Sequence, residues 1–470
     1  MPEIKAIILA AGKGKRMHSL LPKVLHPLCG SPLINYSLQA VQKSGVREIY
    51  VVASKDKEDP VAKYLKKNFK VNIVYQPTPL GTGHAVQSCF SVFKKFKGYV
   101  LIAYGDAPLL RSDTLKSFIK TVLKEKATLG FITTELSDPT GYGRVIRDER
   151  GEAVKVVEEK EATAEEKKIR ESNMGTYCVR SEWLFETLKH LKPHPITKEY
   201  YLTDIVECAI RGGQKLVGFM GENAEEFLGI NSRKQLSEAN ALMMGRLVDD
   251  WMSRGIFFVD PRHVYLDAES TLGEGTIVHP QVTLYGKTKI GKNCVIECGS
   301  VLKDMIVGDG VHIKPYCVLE ESVVEKGAQI GPFARLRPHS HVGKNARVGN
   351  FVELKKTKLG DGVKANHLTY LGDAVVGEGT NIGCGTITCN YDGVKKYPTK
   401  IGKKVFVGSD VQFVAPVSIG NGAYIGAGST ITKNVPSEAL AIARGRQINK
   451  KGWTKDQGPR TKNQRKRKSP

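Results

Sequence analysis

Aliphatic residues recur every six positions through the C-terminal half of this chain. Val342, Val348 and Leu354 follow one another at that spacing. After a slip of one the rhythm resumes at Leu359, Ala365 and Leu371. Beyond an interruption it continues at Ile401, Val407, Phe413, Ile419, Ile425 and Ile431. Gly often follows the aliphatic, as in Ile290-Gly291, Val342-Gly343, Ile401-Gly402 and Ile425-Gly426. Such a period is the signature of a parallel β-helix, in which each hexad supplies one short strand and one corner, and three hexads close a triangular coil of about 18 residues. Aliphatic side chains stack inside, and every outward residue gains an address. The repeats are expected from near Tyr265 to near Thr432, with a capping piece from Asn434 onward.

The chain has 470 residues, too many for one ordinary core, so two or three domains are expected. No apolar run reaches the ~18 residues that span a bilayer. Ile4 to Leu9 is too short for a signal peptide and runs straight into a Gly-rich loop, so a cytoplasmic protein is expected. The nine cysteines contain no CxxC pair and read as reduced, mostly buried thiols. The formal net charge is +23. Part of it sits in a basic tail, 451–470, with Arg465-Lys466-Arg467-Lys468. That tail is either solvated and disordered or loosely attracted to an anionic partner. Without interleaved basic and aromatic residues, no specific nucleic-acid binding is expected.

Residues 1–230 alternate strand-like and helix-like segments. Ile4–Leu9, Glu48–Ala53, Val71–Tyr75 and Val100–Tyr104 read as strands. Leu33–Ser44 and Asp59–Phe69 read as helices. This alternation argues an α/β domain with a mostly parallel sheet. Leu236, Met243, Leu247 and Trp251 are at helical spacing, so 231–254 reads as a helix linking this domain to a β-helix domain over 255–450.

Leu9-Ala10-Ala11-Gly12-Lys13-Gly14-Lys15-Arg16-Met17 directly follows the first strand. Two glycines and three cations suit a phosphate cradle, although a structural turn reads the same way. The glycine spacing fits neither a P-loop nor a dinucleotide loop. Lys23 lies shortly downstream. Gln76 and Leu80-Gly81-Thr82-Gly83 follow the third strand. Tyr104-Gly105-Asp106 ends an apolar strand, where a carboxylate either holds a metal or serves as a turn residue.

With LPK, QPTPLGTGHA, YGDAPLL, DPTGYGRV, VVEEKEA, SNMGTY, EYYLTD and GINSR added, the first half resembles the nucleotidyltransferase domain of sugar-nucleotide pyrophosphorylases. Order and spacing are most similar to the bacterial family of bifunctional N-acetylglucosamine-1-phosphate uridyltransferases/glucosamine-1-phosphate N-acetyltransferases. The resemblance covers all but the basic tail. It implies a Rossmann-like α/β nucleotidyltransferase domain followed by a left-handed parallel β-helix. It also implies that Leu9, Ala10, Ala11, Gly12 and Lys23 hold UTP, and that Gln76, Gly81 and Thr82 read uracil. Tyr104 and Gly105 line the same nucleotide-sugar site. Gly143, Glu158 and Asn173 contact the sugar, and Asp106 and Asn231 bind Mg²⁺. Lys15 departs from the family loop, which usually has Thr there.

In the second half, His367 lies near a corner of the coil. Arg337, Lys355, Tyr370, Asn381 and Lys396 fall on nearby coils, and cations beside a histidine suit a phosphorylated substrate. The loop Thr388 to Lys396 breaks the hexad phase, as a grafted binding element would. Ser409 and Ala427 are expected to stack one coil above the other, a small-residue column suited to a pantetheine arm. RLRP, FVELKK, NHLTYLGDA, NIGCGTITCNYDG and FVGSD extend the resemblance to the family's acetyltransferase half. It implies His367 as general base, and Arg337, Lys355, Tyr370, Asn381 and Lys396 as sugar-phosphate ligands. Cys384, Asn390, Tyr391, Ser409, Ala427 and Arg444 would bind acetyl-CoA; Cys384 stands where the family commonly has Ala.

The expected function is therefore bifunctional synthesis of UDP-N-acetylglucosamine, a precursor of bacterial envelope polysaccharides, by an enzyme that the resemblance makes a homotrimer through its β-helix. The alternative is a single-activity sugar-1-phosphate nucleotidyltransferase whose β-helix only regulates or oligomerises it. A noncatalytic scaffold would show a degraded catalytic set, and the matched residues are largely intact.

Overall fold

The computed structural model describes residues 2–12, 14–54, 59–195 and 197–453. Lys13, the side chain of Lys15 and the basic run Arg465 to Lys468 lie outside the described residues. Two compact units divide the chain. The first holds Met1–Arg254 and Tyr265–Ser270, the second Gly255–Val264 and Thr271–Pro470.

The first unit is built on nine strands. These are β1 (Ile4–Leu9), β2 (Glu48–Ser54), β3 (Asn72–Gln76), β4 (Tyr99–Tyr104), β5 (Leu129–Glu135), β6 (Gly143–Arg147), β7 (Ala153–Val157), β8 (Glu171–Arg180) and β9 (Leu216–Met220). The main path runs β9-β5-β8-β4-β1-β2-β3, and β6 with β7 extends from β8. Pairs β1–β2, β1–β4, β2–β3 and β5–β9 are parallel, while β8 runs antiparallel to β4 and β5. Alternate residues face opposite sides. Ala6, Ile8, Val51 and Leu101 enter one core, and Ile7, Leu9, Val52 and Ile102 the other. Burial on both faces is what a sheet covered by helices on each side requires.

Local signals set the helix starts. Asp59 caps Pro60–Asn68 by accepting the Val61 N–H at 2.9 Å, with Pro60 at the first helical position. Leu33–Lys43 buries Leu33, Ile34, Leu38 and Val41, the spacing of one helical face. Arg233–Ser253 begins at Ser232, whose Oγ accepts the Gln235 N–H at 3.2 Å, while Gln235 Oε1 reaches back to the Asn231 N–H at 2.9 Å. Its sequence suggests a link between domains. The helix instead belongs to the first unit, because Ala239 and Met243 pack with Leu28, Leu33, Leu109 and Ile230.

The second unit is a parallel β-helix. Its strands pair one coil apart on three faces: Val295 with His312, Thr283 with Val301, Lys289 with Ile306. Its first strand, Phe257–Phe258, pairs with Ile277–Val278. That start precedes Tyr265. Tyr265–Ser270 clusters with the first unit, where the Ala268 N–H donates to the Cys29 carbonyl. Its last strand, Leu440–Ala441, pairs with Tyr424–Ile425, extending the coil past Thr432. Arg347 pairs with Lys364 and Lys364 with Asn381, each seventeen positions on, which is the slip seen in the hexad phase. Asn381 pairs with Phe406, twenty-five positions on, because the loop after Cys389 is inserted there. Val342, Leu354, Leu371, Ile401, Val407 and Phe413 are all buried.

Candidate active sites

In the first unit, strand ends gather the nucleotide-side residues. Leu9 pairs with both Val52 and Tyr104, and the Gly105 N–H donates to the Leu9 carbonyl at 3.0 Å. The Gly-rich loop and Asp106 therefore leave adjacent strands at the same level. Lys23 opens a short 3-10 turn, Lys23–Leu25. Its ammonium donates to the Asp106 carboxylate and to Asn231 Oδ1, the latter at 2.9 Å. The start of the Arg233–Ser253 helix holds Asn231 in place for this.

Two acceptor oxygens thus converge on one positive charge. Among the described residues no three His, Cys, Asp or Glu side chains gather as a metal cluster. A divalent ion here would take Asp106 and Asn231 and complete its shell from water or phosphate oxygens. Mg²⁺ binds in this way, and the all-oxygen donor set fits it.

Gln76, 6% exposed at the end of β3, donates to the Gly81 carbonyl at 3.1 Å. Thr82 Oγ1 accepts the Leu202 N–H at 3.0 Å, which ties the loop to the EYYLTD segment.

The sugar-side residues meet through antiparallel pairing. Asn173 of β8 lies opposite Gly143 of β6, and Glu158 follows directly on β7, the partner of β6. A bulge between Asn173 and Tyr177 lets Asn173 Nδ2 donate to the Tyr177 hydroxyl at 2.7 Å. Burial pushes the Glu158 carboxyl up, against the hydrogen bond it accepts from Thr203 Oγ1 at 2.9 Å. Burial, then Glu158 and Glu161, raise Asp204 to about 6. Arg144 is 2% exposed and holds the Tyr142 carbonyl and Glu159, the latter at 2.7 Å. Sequence reasoning missed Arg144, Thr203 and Asp204, although GYGRV and EYYLTD contain them.

In the second unit a cavity of about 620 Å³ is lined by Arg337, Lys355, Tyr370, Asn390, Tyr391, Val394 and Lys396. Four of the five expected sugar-phosphate residues and two of the expected acetyl-CoA residues therefore share one wall. Burial works against the Lys355 charge, but the Asp373 carboxylate outweighs it and holds the ammonium raised, while the Lys355 cation lowers Lys396. His367 and Asn381 do not line this cavity. His367 is exposed, and its Nδ1 meets Asn350 Oδ1 one coil away at 3.0 Å. With the amide oxygen on that side, Nδ1 is the donor, which leaves Nε2 as the ring nitrogen that can take a proton when the ring is neutral. Sequence reasoning missed Asn350 and Asp373, although each lies one coil, seventeen or eighteen positions, from its partner.

Val407 pairs with Ile425, so Ser409 and Ala427, two residues beyond, occupy equivalent places on successive coils. Cys384 completes the column, since the Asp410 N–H donates to its carbonyl at 2.7 Å. Arg444 Nη1 donates to the Ala427 carbonyl at 2.7 Å, closing the column's end.

Comparison with known proteins agrees with this division. The family profile for nucleotidyl transferase matches residues 5–252. The bacterial transferase hexapeptide profile matches 269–304 and 398–433. The bifunctional protein GlmU of Geotalea uraniireducens is 44% identical over 453 residues, 96% of this chain and 99% of that relative. The chain belongs to the GlmU family. GlmU of Caldanaerobacter subterraneus is 46% identical over 97% of the chain and 98% of that relative, and GlmU of Shouchella clausii 43% over 96% and 98%. As a GlmU-family member, the chain is a bifunctional enzyme that makes UDP-N-acetylglucosamine, with Mg²⁺ as cofactor and acetyl-CoA and UTP as substrates. Its coil is the left-handed hexapeptide β-helix of that family. Among the described residues, no helix is long and apolar enough to cross a membrane.

Proposed function

We propose that the two activities divide between the two units, the first carrying uridylyl transfer and the second acetyl transfer. One observation carries this division: each expected set of residues falls within a single unit. In the second unit, His367 Nε2 takes a proton from the ammonium of glucosamine-1-phosphate. The freed amine attacks the thioester carbonyl of acetyl-CoA, the C–S bond breaks, and the coenzyme leaves as a thiolate that takes up the proton shed by the new amide nitrogen. Asn350 orients the imidazole for this. Arg337, Lys355, Tyr370, Asn381 and Lys396 hold the sugar phosphate. Cys384, Asn390, Tyr391, Ser409, Ala427 and Arg444 hold the coenzyme.

In the first unit, a phosphate oxygen of N-acetylglucosamine-1-phosphate attacks the α-phosphorus of UTP, and pyrophosphate leaves as the α–β bridging bond breaks. Leu9, Ala10, Ala11, Gly12 and Lys23 hold the triphosphate, and Gln76, Gly81 and Thr82 the uracil. Tyr104 and Gly105 line the nucleotide-sugar site, while Gly143, Glu158 and Asn173 hold the sugar. Asp106 and Asn231 would hold Mg²⁺, which would supply charge neutralisation on phosphate oxygens. With those two oxygens taken by a metal, the Lys23 ammonium would be free to serve the phosphates.

The enzyme works as a homotrimer through its coil. The exposure of His367, Ser409, Ala427 and Arg444 on one chain supports this, because neighbouring coils would close around them. Sedimentation at the mass of three 51.6 kDa chains is the expected result. A cytoplasmic location fits its substrates and its nine free cysteines, of which Cys29, Cys89, Cys178, Cys294 and Cys317 are buried.

The test is incubation with glucosamine-1-phosphate, acetyl-CoA, UTP and Mg²⁺, with products resolved by chromatography and mass detection. UDP-N-acetylglucosamine forming only when all four are present supports both activities. Product formed only from supplied N-acetylglucosamine-1-phosphate leaves a uridyltransferase with a structural coil.

A further inference from the structure

Asp373 lies in the segment Tyr370-Leu371-Gly372-Asp373-Ala374 and has no part in the roles above. Its carboxylate accepts from two side chains at once, Lys355 Nζ at 3.2 Å and Asn390 Nδ2 in a short contact. Lys355 belongs to the sugar-phosphate set, Asn390 to the acetyl-CoA set. The backbone fixes the carboxylate's position. The Asp373 N–H donates to the Lys355 carbonyl at 2.9 Å, and the Asp373 carbonyl accepts the Thr399 N–H at 3.2 Å. Thr388 Oγ1 accepts the Gly372 N–H at 2.7 Å and donates to the Gly372 carbonyl at 3.1 Å.

Gly372 lets the two sets meet, since a Cβ there would lie 2.4 Å from the Tyr370 hydroxyl and 2.7 Å from Asn390 Nδ2. A carboxylate beside a phosphate pocket repels the ligand, and this one sits beside the cavity that Arg337, Lys355 and Lys396 line. Its presence there calls for a compensating role, and a shared anchor for Lys355 and Asn390 supplies one.

We infer that Asp373 is a positioning residue that couples the two subsites of acetyl transfer, so that coenzyme A and glucosamine-1-phosphate raise each other's affinity. The inference rests on the roles proposed above for Lys355 and Asn390. Coenzyme bound against Asn390 orders that side chain and, through the shared carboxylate, sets Lys355 for the phosphate. By linkage the effect runs equally in the other direction.

The test uses the full-length protein. Calorimetry measures glucosamine-1-phosphate affinity with and without saturating coenzyme A. The parent is expected to bind about 10-fold tighter with coenzyme A, within the usual range of coupling. In Asp373→Asn, which keeps the shape but not the charge, that factor falls to near one, while an unchanged urea unfolding transition of the second unit shows that the coil is folded. Lys355→Ala weakens sugar-phosphate binding with or without coenzyme. A factor of one in the parent overturns the coupling. So does an undiminished factor in Asp373→Asn when Lys355→Ala weakens binding. If Lys355→Ala leaves the affinity unchanged, the reading of the pocket fails and takes the inference with it.

Discussion

The two units bring functional groups together by opposite routes. In the α/β unit, Lys23 meets Asp106 across 83 positions and Asn231 across 208. In the coil, His367 meets Asn350 across 17, Asp373 meets Lys355 across 18, and Asn390 meets Asp373 across 17. A sheet with helices on both faces collects loops from anywhere in the chain at its strand ends. A coil offers each residue only the places one turn above and below it. Sequence distance is therefore informative in one unit and nearly silent in the other.

The largest effects expected are those that separate the units chemically. His367→Ala should lower acetyl transfer by about 10²- to 10⁴-fold, the usual worth of a general base, and leave uridylyl transfer within about twofold. Asp106→Ala should do the reverse. Separate assays of the two half-reactions decide it, and a joint loss in either variant breaks the division.

Next comes one substitution made in both architectures. A Cβ on Gly349 would lie 1.8 Å from the Asn366 carbonyl oxygen of the next coil, whereas one on Gly12 meets nothing within 4 Å. Gly349→Ala should cost about 3 kcal/mol of coil stability, at the upper end for overpacking, and Gly12→Ala under about 1 kcal/mol. Urea unfolding of each variant measures both. A smaller effect is expected at Arg144, whose guanidinium satisfies Glu159 and the Tyr142 carbonyl beside the sugar-side hairpin. Arg144→Met should destabilise the first unit by roughly 2–3 kcal/mol, the range for a hydrogen bond to a charged group, seen as an earlier unfolding transition.

The smallest effect expected is a pH dependence. Burial and neighbouring carboxylates raise Asp204 from 3.8 to about 6, so the folded chain binds that proton more tightly than the unfolded one. The resulting penalty is complete above about pH 6 and is relieved as the pH falls toward 4. Asp204→Asn should therefore raise the thermal midpoint at pH 7.5 by about 2–4 °C, and the gap should narrow between pH 6 and 4. A constant gap would place the origin elsewhere.

The hexad rhythm makes the coil legible from the residues alone, including the slip after Leu354 and the stacking of Ser409 under Ala427. It sets Asn350 one coil from His367 but does not show that the two side chains point the same way and hydrogen-bond. The helix Arg233–Ser253 is legible as a helix but not by its allegiance. Periodicity shows an apolar face, and only Leu28, Leu33 and Leu109 show what that face covers. Asn231 is identified by resemblance. Its chemical reason, the shared grip on Lys23 with Asp106, appears only when the strand ends align.

The coil that contains Cys389 runs twenty-five positions instead of seventeen, yet Phe406 still pairs with Tyr424 and Gln412 with Thr430 on the coil that follows. The extra residues are carried as a side bay that leaves the stack undisturbed. A scaffold of this kind can be fitted with pockets one at a time, like shelves hung on a rail. Trimming or exchanging Asn390 to Tyr397 would therefore change what the bay grips without asking the neighbouring coils to refold.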